Sequence, residues 1–201
     1  MNPIPDPQIP LFPLGATLFP GGRMPLQIFE PRYLDLVSRC MRDGTGFGVV
    51  LIQRGSEVYR KGEEAPPQLV EVGCYARIVD WDGLPNNRLG ITIEGGERFT
   101  PGSTALAGDR LLTAQVTWWE PEPAVAVPSQ LSDLLRLLQD LLRHPMVERL
   151  GYQVAAGDAA RVGCQLAQLL PIRESDKLKL LLMRDPLARL EAIDDLLQHI
   201  T

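Results

Sequence analysis

Ile9-Pro10-Leu11-Phe12-Pro13-Leu14-Gly15-Ala16-Thr17-Leu18-Phe19-Pro20-Gly21-Gly22-Arg23-Met24-Pro25-Leu26-Gln27-Ile28-Phe29-Glu30-Pro31-Arg32-Tyr33 carries its apolar residues in short bursts, each stopped by Pro or Gly. A helix interior cannot be built this way, because each proline removes a donor and clashes with the preceding turn. The pattern predicts two short strands, near Ile9 to Phe12 and Met24 to Phe29, joined by a proline-fixed loop. Gly21-Gly22 supplies the backbone freedom for a sharp change of direction before the second strand. Glu30-Pro31 then opens a helix, with proline at its first position and a carboxylate near the positive end of its dipole.

Working outward, that helix is expected from about Pro31 to Asp43, ended by Gly44 at C′. Tyr33, Leu34, Val37 and Met41 share one face, while Asp35, Arg39 and Arg42 can face water. Phe47 to Ile52 is a nearly continuous apolar run, too short for another helix, and reads as a buried strand. Gly55 to Gln68, with Lys61-Gly62-Glu63-Glu64 and Pro66-Pro67, reads as a solvated loop.

From Leu69 the period becomes two. Val70, Val72, Cys74, Ala76 and Ile78 point one way; Glu71, Tyr75, Arg77 and Trp81 point the other. Turn chemistry at Asp82-Gly83-Leu84-Pro85-Asn86-Asn87 leads into Leu89, Ile91 and Ile93, which alternate with Arg88, Thr92 and Glu94. An antiparallel hairpin follows, its second strand bent or bulged at Gly95-Gly96. A further strand, Leu112 to Glu120, carries Ala114, Val116 and Trp118 on one side.

Glu120 to Pro128 is proline-rich, stiff, and the best boundary. Beyond it the spacing is helical. Leu131, Leu134, Leu135, Leu138, Leu141 and Leu142 form a stripe stopped by His144-Pro145. Asp158 caps a helix carrying Val162, Leu166, Leu169 and Leu170, and a third spans Ser175 to Met183. Asp185 caps the last, with Pro186 at N1 and Leu187, Leu190, Ile193, Leu196, Leu197 and Ile200 inward. The expected class is α+β: an antiparallel, curled β-lobe with one helix over residues 1–122, then a helical bundle over 123–201.

Composition excludes several functions. Of 201 residues, 45% are hydrophobic, enough for a substantial core. Asp and Glu number 25 against 20 Lys and Arg, and neither half is basic. A phosphate-neutralising surface is therefore not expected, and an aromatic content of 6% offers few stacking platforms for nucleic acid. Cys40, Cys74 and Cys164 are odd in number and widely spaced, which suggests buried thiols in a reducing compartment. Met1 to Ile9 lacks a basic n-region and an apolar h-region, and no long apolar run follows. A cytoplasmic chain without a membrane partner is expected.

No phosphate-cradling Gly-x-x-x-x-Gly-Lys-Ser/Thr run is present, and Lys61, Lys177 and Lys179 lie in no nucleophile motif. His144 and His199 sit near helix ends without ligand-like spacing. They read as cations at the negative end of a dipole in preference to a Cys–His pair or a metal site. No catalytic residue, cofactor or metal is expected. Glu30, Arg32 and Tyr33 form the candidate peptide-binding cluster: a guanidinium for a carboxylate or carbonyl, and a ring to pack on it. The competing reading, favoured because a chain reversal must be fixed here, makes Glu30 a cap, Arg32 a tie between strand ends and Tyr33 core. Alternation at Trp118-Trp119 sends one ring inwards and one outwards.

Leu11-Phe12-Pro13-Leu14, Leu18-Phe19-Pro20-Gly21 and Pro25-Leu26 through Ile28-Phe29-Glu30-Pro31-Arg32-Tyr33 closely resemble the opening of the Lon N-terminal domain family. The later segments follow more loosely, so the resemblance covers most of the chain. It implies the substrate-engaging front end of the ATP-dependent Lon protease, here a stand-alone member lacking the ATPase and serine–lysine peptidase modules. A pseudo-barrel, PUA-like lobe and a non-catalytic, polypeptide-binding role are implied with it. The expected partner is an unfolded polypeptide or another protein, engaged at an edge strand or in a cleft. An RNA-binding PUA-like module is the alternative, and an unrecognised hydrolase the third reading.

Overall fold

Strand β5, Arg88–Leu106, is 19 residues long, and the sheet is organised around it. The computed structural model describes residues 7–56, 66–85, 88–153, 155 and 157–199. Lys61 and most of its solvated loop, Asn86-Asn87 of the turn, Met1 to Asp6 and the last inward position, Ile200, lie outside the described residues. The remaining strands are β1 (Gln8–Leu14), β2 (Arg23–Ile28), β3 (Phe47–Arg54), β4 (Gln68–Leu84) and β6 (Leu112–Trp118). Their order is β2-β5-β4-β3-β1-β6, and β5 also pairs with β6. Five strands therefore close on themselves, and β2 is added outside the ring.

Closure requires β5 to bend. Cys74 pairs with Arg98 but Ala76 pairs with Gly95, so Tyr75 of β4 faces two residues of β5, Gly96 and Glu97. This bulge falls at the Gly95-Gly96 pair that the sequence marks, where a small residue lets the strand turn. Past the bend, Phe99 pairs with Trp118 and Leu106 with Leu112 in the antiparallel β5–β6 ladder.

One pair departs from the expected antiparallel sheet. β1 runs parallel to β3, Leu11 opposite Gly48 and Leu14 opposite Leu51. A parallel partner needs a crossover, which β2 and helix α1 (Pro31–Asp43) supply between them. β1 tolerates Pro10 and Pro13 because its first half pairs with β6 and its second with β3. Each proline nitrogen can then face the side where no ladder runs.

Helix α1 begins at Pro31 and ends at Gly44, whose φ is 65° and whose N–H donates to the Cys40 carbonyl. Its buried face differs by a fraction of a turn from the expected one. Arg32, Tyr33, Leu36, Val37 and Cys40 are buried, whereas Met41 is 40% exposed. Periodicity gave the amphipathic character, but the long flexible Met41 could not be separated from the small Cys40 by hydropathy alone. On β4, alternation puts Tyr75 on the side of Glu71, Arg77 and Trp81, yet it is only 3% exposed. A closed sheet buries parts of both strand faces, under the helix on one and against Trp118 on the other.

The core of this first unit gathers Phe12, Leu18, Ile28, Tyr33, Leu36, Val37, Phe47, Val49, Ile91 and Ile93. Phe12 stacks on Tyr33 with centroids 4.1 Å apart and meets Phe47 at 5.5 Å. Such pairs contribute about 0.5–1.5 kcal/mol beyond the area they bury. Alternation predicts one ring inwards and one outwards, but both are half-buried; Trp118 is edge-on to Tyr75 and Phe99. Trp119 instead donates its indole N–H to Thr100 and lies under the Arg98 guanidinium.

The second unit comprises Phe19–Arg23 and Glu120–Thr201. Its helices are α2 (Ser132–Leu142), the single turn α3 (Pro145–Glu148), α4 (Ala159–Leu169), α5 (Glu174–Leu182) and α6 (Pro186–Gln198). Asp158 and Asp185 cap α4 and α6 through backbone N–H groups, as their positions predict. The turn α3 was not anticipated; four residues are too few to carry a periodic signal. Arg189 is wholly buried on the apolar face of α6. It donates to the Glu122 carboxylate and to the carbonyls of Leu180 and Met183. Phe19 donates to the Gln168 side chain at 3.0 Å, and the Arg23 N–H and C=O both bond the Tyr152 hydroxyl. Among the described residues no helix is long and apolar enough to cross a membrane.

Gly73 fixes the seat of Phe99: a Cβ there would lie 2.3 Å from Phe99 Cζ. Gly73→Ala is expected to destabilise the chain by about 1–3 kcal/mol through overpacking. Combining it with Phe99→Leu should cost less than the two separate losses together, a coupling that denaturant melts of the single and double variants will measure.

Candidate functional site

The reversal between β2 and α1 brings Glu30, Arg32 and Tyr33 together. Arg32 is 8% exposed and pairs with Glu30 at 2.8 Å. Its guanidinium also donates to the Arg110 carbonyl at 3.2 Å and lies 4.4 Å from the Tyr33 ring centroid. Arg110 itself has φ 64°, the one described non-glycine residue in the left-handed region. Glu30 occupies the N-cap position, yet its carboxylate makes no capping bond and turns to Arg32 instead. This arrangement ties the β2–α1 corner to the loop before β6, which is what a buried guanidinium with a carbonyl and a carboxylate can do.

Beside this cluster, β2 stands at the end of the strand order with β5 as its neighbour. Alternation along it buries Ile28 and half-buries Met24 and Leu26, leaving Pro25 and Gln27 exposed. Two hollows share Pro25, Leu26 and Gln27. One, of about 220 Å³, has Phe12, Pro13 and Leu14 of β1 as another wall and includes Glu30 and Tyr33. The other, of about 350 Å³, is bordered by Asp80, Trp81 and Leu84 of β4 and Ile91 of β5. Phe29 and Trp81, 57% and 58% exposed, line one hollow each. A strand end with one free side, flanked by apolar hollows and two uncovered rings, is suited to an extended apolar segment.

The sequence places Trp81 on the outward side of β4, but nothing in the chain order shows that β2 lies next to it. Phe29 was read as part of the strand and not as a surface ring. The signal available was the β2 alternation itself, which sets Phe29 on the side of Pro25 and Gln27.

Cys40, Cys74 and Cys164 are free and buried. Burial pushes the Cys40 thiol up, against smaller opposing effects of a hydrogen bond with Thr45 and the Arg39 charge. His144 directly follows Arg143, the C-cap of α2, and also starts α3, where its Nδ1 accepts from the Met146 N–H. His199 lies at the C-terminal end of α6, with Nδ1 2.7 Å from the Asp195 carbonyl. Among the described residues no group of three or more His, Cys, Asp or Glu could hold a metal ion.

With this geometry in place, the comparisons settle the ancestry. The sequence model of the ATP-dependent protease La (LON) substrate-binding domain matches residues 8–199. The chain belongs to this family. A solved Lon N-terminal domain protein from Xanthomonas campestris is similar at 33% identity, covering 92% of this chain and 96% of that one, with a TM-score of 0.70. The N-terminal domain of Mycobacterium avium complex Lon protease is 15% identical over 93% of this chain and 96% of that one, with a TM-score of 0.56, and shares the fold. Comparison with curated proteins gave no match. The Lon-like opening motif thus spans β1, β2 and the start of α1, the elements that build the corner and the free strand.

Two outcomes follow from the burial of this corner and of the thiols. Tyr33→Ala should cost about 3–5 kcal/mol, the usual range for truncating a buried aromatic, and Arg32→Ala about 1–3, both read from unfolding midpoints. Because all three thiols are buried, and burial pushes the Cys40 thiol up, iodoacetamide should leave the native chain unmodified. In denaturant it should alkylate every cysteine over the same period, as mass spectrometry will record.

Proposed function

We propose that the chain is a non-catalytic polypeptide-binding module that engages extended apolar segments along the free side of β2. One observation carries this reading. Pro25, Leu26 and Gln27 border two hollows at once, with Phe29 and Trp81 exposed in their linings. An added strand can take backbone hydrogen bonds from β2 while its alternate side chains enter the hollows. Pro25 brings no N–H to β2, a device that blunts a strand edge against indiscriminate pairing. Family membership supports a substrate-recognition role. Glu30 and Tyr33 contribute to the wall of the smaller hollow, and Arg32 acts behind it by holding both in place. The three buried, unlinked thiols support a reducing compartment, and the cytoplasm is the compartment we propose.

The reading is tested with fluorescently labelled casein, an unfolded polypeptide, titrated with the full chain and with Phe29→Ala and Trp81→Ala. Each variant is expected to bind about tenfold or more weakly, since a central aromatic anchor contributes on the order of 2 kcal/mol. Their unfolding midpoints should stay close to that of the parent, because both rings are exposed. Unchanged casein affinity in both variants would remove β2 as the site.

A further inference from the structure

A cavity of about 730 Å³ in the first unit shares no lining residue with the β2 hollows. It lies between the C-terminal end of α1, the start of β1 and the loop before β6. Its walls include Ile9, Leu36 and Leu111, all buried and apolar. Its size is within the usual range for sites that take small molecules or a terminal residue.

The polar groups around it are unequal. Asp109 already accepts the Leu111 N–H, and both oxygens of Asp43 accept from Arg42. Arg39 lines the cavity, is exposed, and its charge acts on the neighbouring Asp43 and Cys40. Arg77 lies 5.2 Å from the Tyr75 ring centroid, with a single ion pair at 3.5 Å to Glu97. The Tyr75 hydroxyl accepts the Gly46 N–H at 2.6 Å, and the phenol is held above its usual range, chiefly by burial. A protonated phenol that already accepts one bond still has its own proton to give. The carboxylates are thus occupied, while a guanidinium and a buried O–H remain able to donate beside apolar walls.

From this arrangement we infer that the cavity binds an apolar carboxylate. The carboxylate would take charge-assisted bonds from Arg39 and the Tyr75 hydroxyl, while the attached hydrocarbon lies against Ile9, Leu36 and Leu111. Two sources offer this chemistry: the C-terminal residue of a polypeptide ending in an aliphatic side chain, and a free aliphatic acid.

Three probes are titrated into the isotope-labelled full chain: N-acetyl-alanyl-leucine with a free carboxylate, its C-terminal amide, and octanoate. The peptide acid is expected to shift the backbone amides of Thr45 and Gly46. It should bind about tenfold more tightly than the amide, the scale of one charge-assisted contact. Arg39→Ala, an exposed change, and Tyr75→Phe, which keeps the ring, should each weaken the acid by a similar factor. Arg39→Ala should leave casein binding unchanged, so this inference and the β2 reading can fail separately. Octanoate matching the peptide acid assigns the site to free aliphatic acids; binding of the peptide acid alone assigns it to chain ends. Equal affinity for acid and amide, no shift at Thr45 and Gly46 with any probe, or undiminished binding in both variants would overturn the inference.

Discussion

A sheet of five strands closes only if one of them changes direction enough to pair with a new neighbour. Here β5 meets that constraint at Gly95–Arg98, where two of its residues, Gly96 and Glu97, face one of β4. Everything else in the first unit depends on this bend. It carries Phe99 onto the ring's interior, where Gly73 and Gly48 leave space for it. It brings β6 beside the second half of β5. And because β6 takes only that second half, the first half is left with a side for β2. The free strand is therefore a product of closure, and not a decoration on a finished barrel.

The corner after β2 is the second fixed point. A guanidinium held by Glu30 and the Arg110 carbonyl, stacked on Tyr33, keeps α1 seated over the sheet. Truncating one partner in such a buried set leaves the others unsatisfied, which costs more than the bond itself. Arg189 plays the same part in the second unit, where it holds the proline-rich segment at Glu122 against the carbonyls that end α5. Each corner is thus fixed by a buried arginine reaching a carboxylate and a backbone carbonyl, a pairing suited to the planar fork of its donors.

Much of this was legible in the sequence where a local rule governs. Proline and glycine punctuation placed β1, β2 and the entry to α1, and capping chemistry placed α4 and α6 at Asp158 and Asp185. The paired glycines marked the β5 bulge. What escaped was set by distant chain. The parallel β1–β3 pair depends on a crossover, which no local pattern encodes. Tyr75 is buried because closure covers its face, and Cys40 replaces Met41 in the core because packing selects shape as well as hydropathy. Arg189 interrupts an apolar stripe, and only its partner Glu122, 67 residues away, explains why it is buried. Of the site, Glu30, Arg32 and Tyr33 were visible as a polar cluster, while Trp81 could not be joined to β2 without the β2–β5 neighbourhood.

The account makes β2 the place where an extended segment is added. Amide hydrogen exchange of the full chain, with and without saturating casein, tests this at the backbone. Protection is expected to rise at alternate amides of β2, those whose N–H faces away from β5, with β3 and the β5–β6 ladder unchanged. Protection that appears elsewhere while every β2 amide exchanges as before would contradict it.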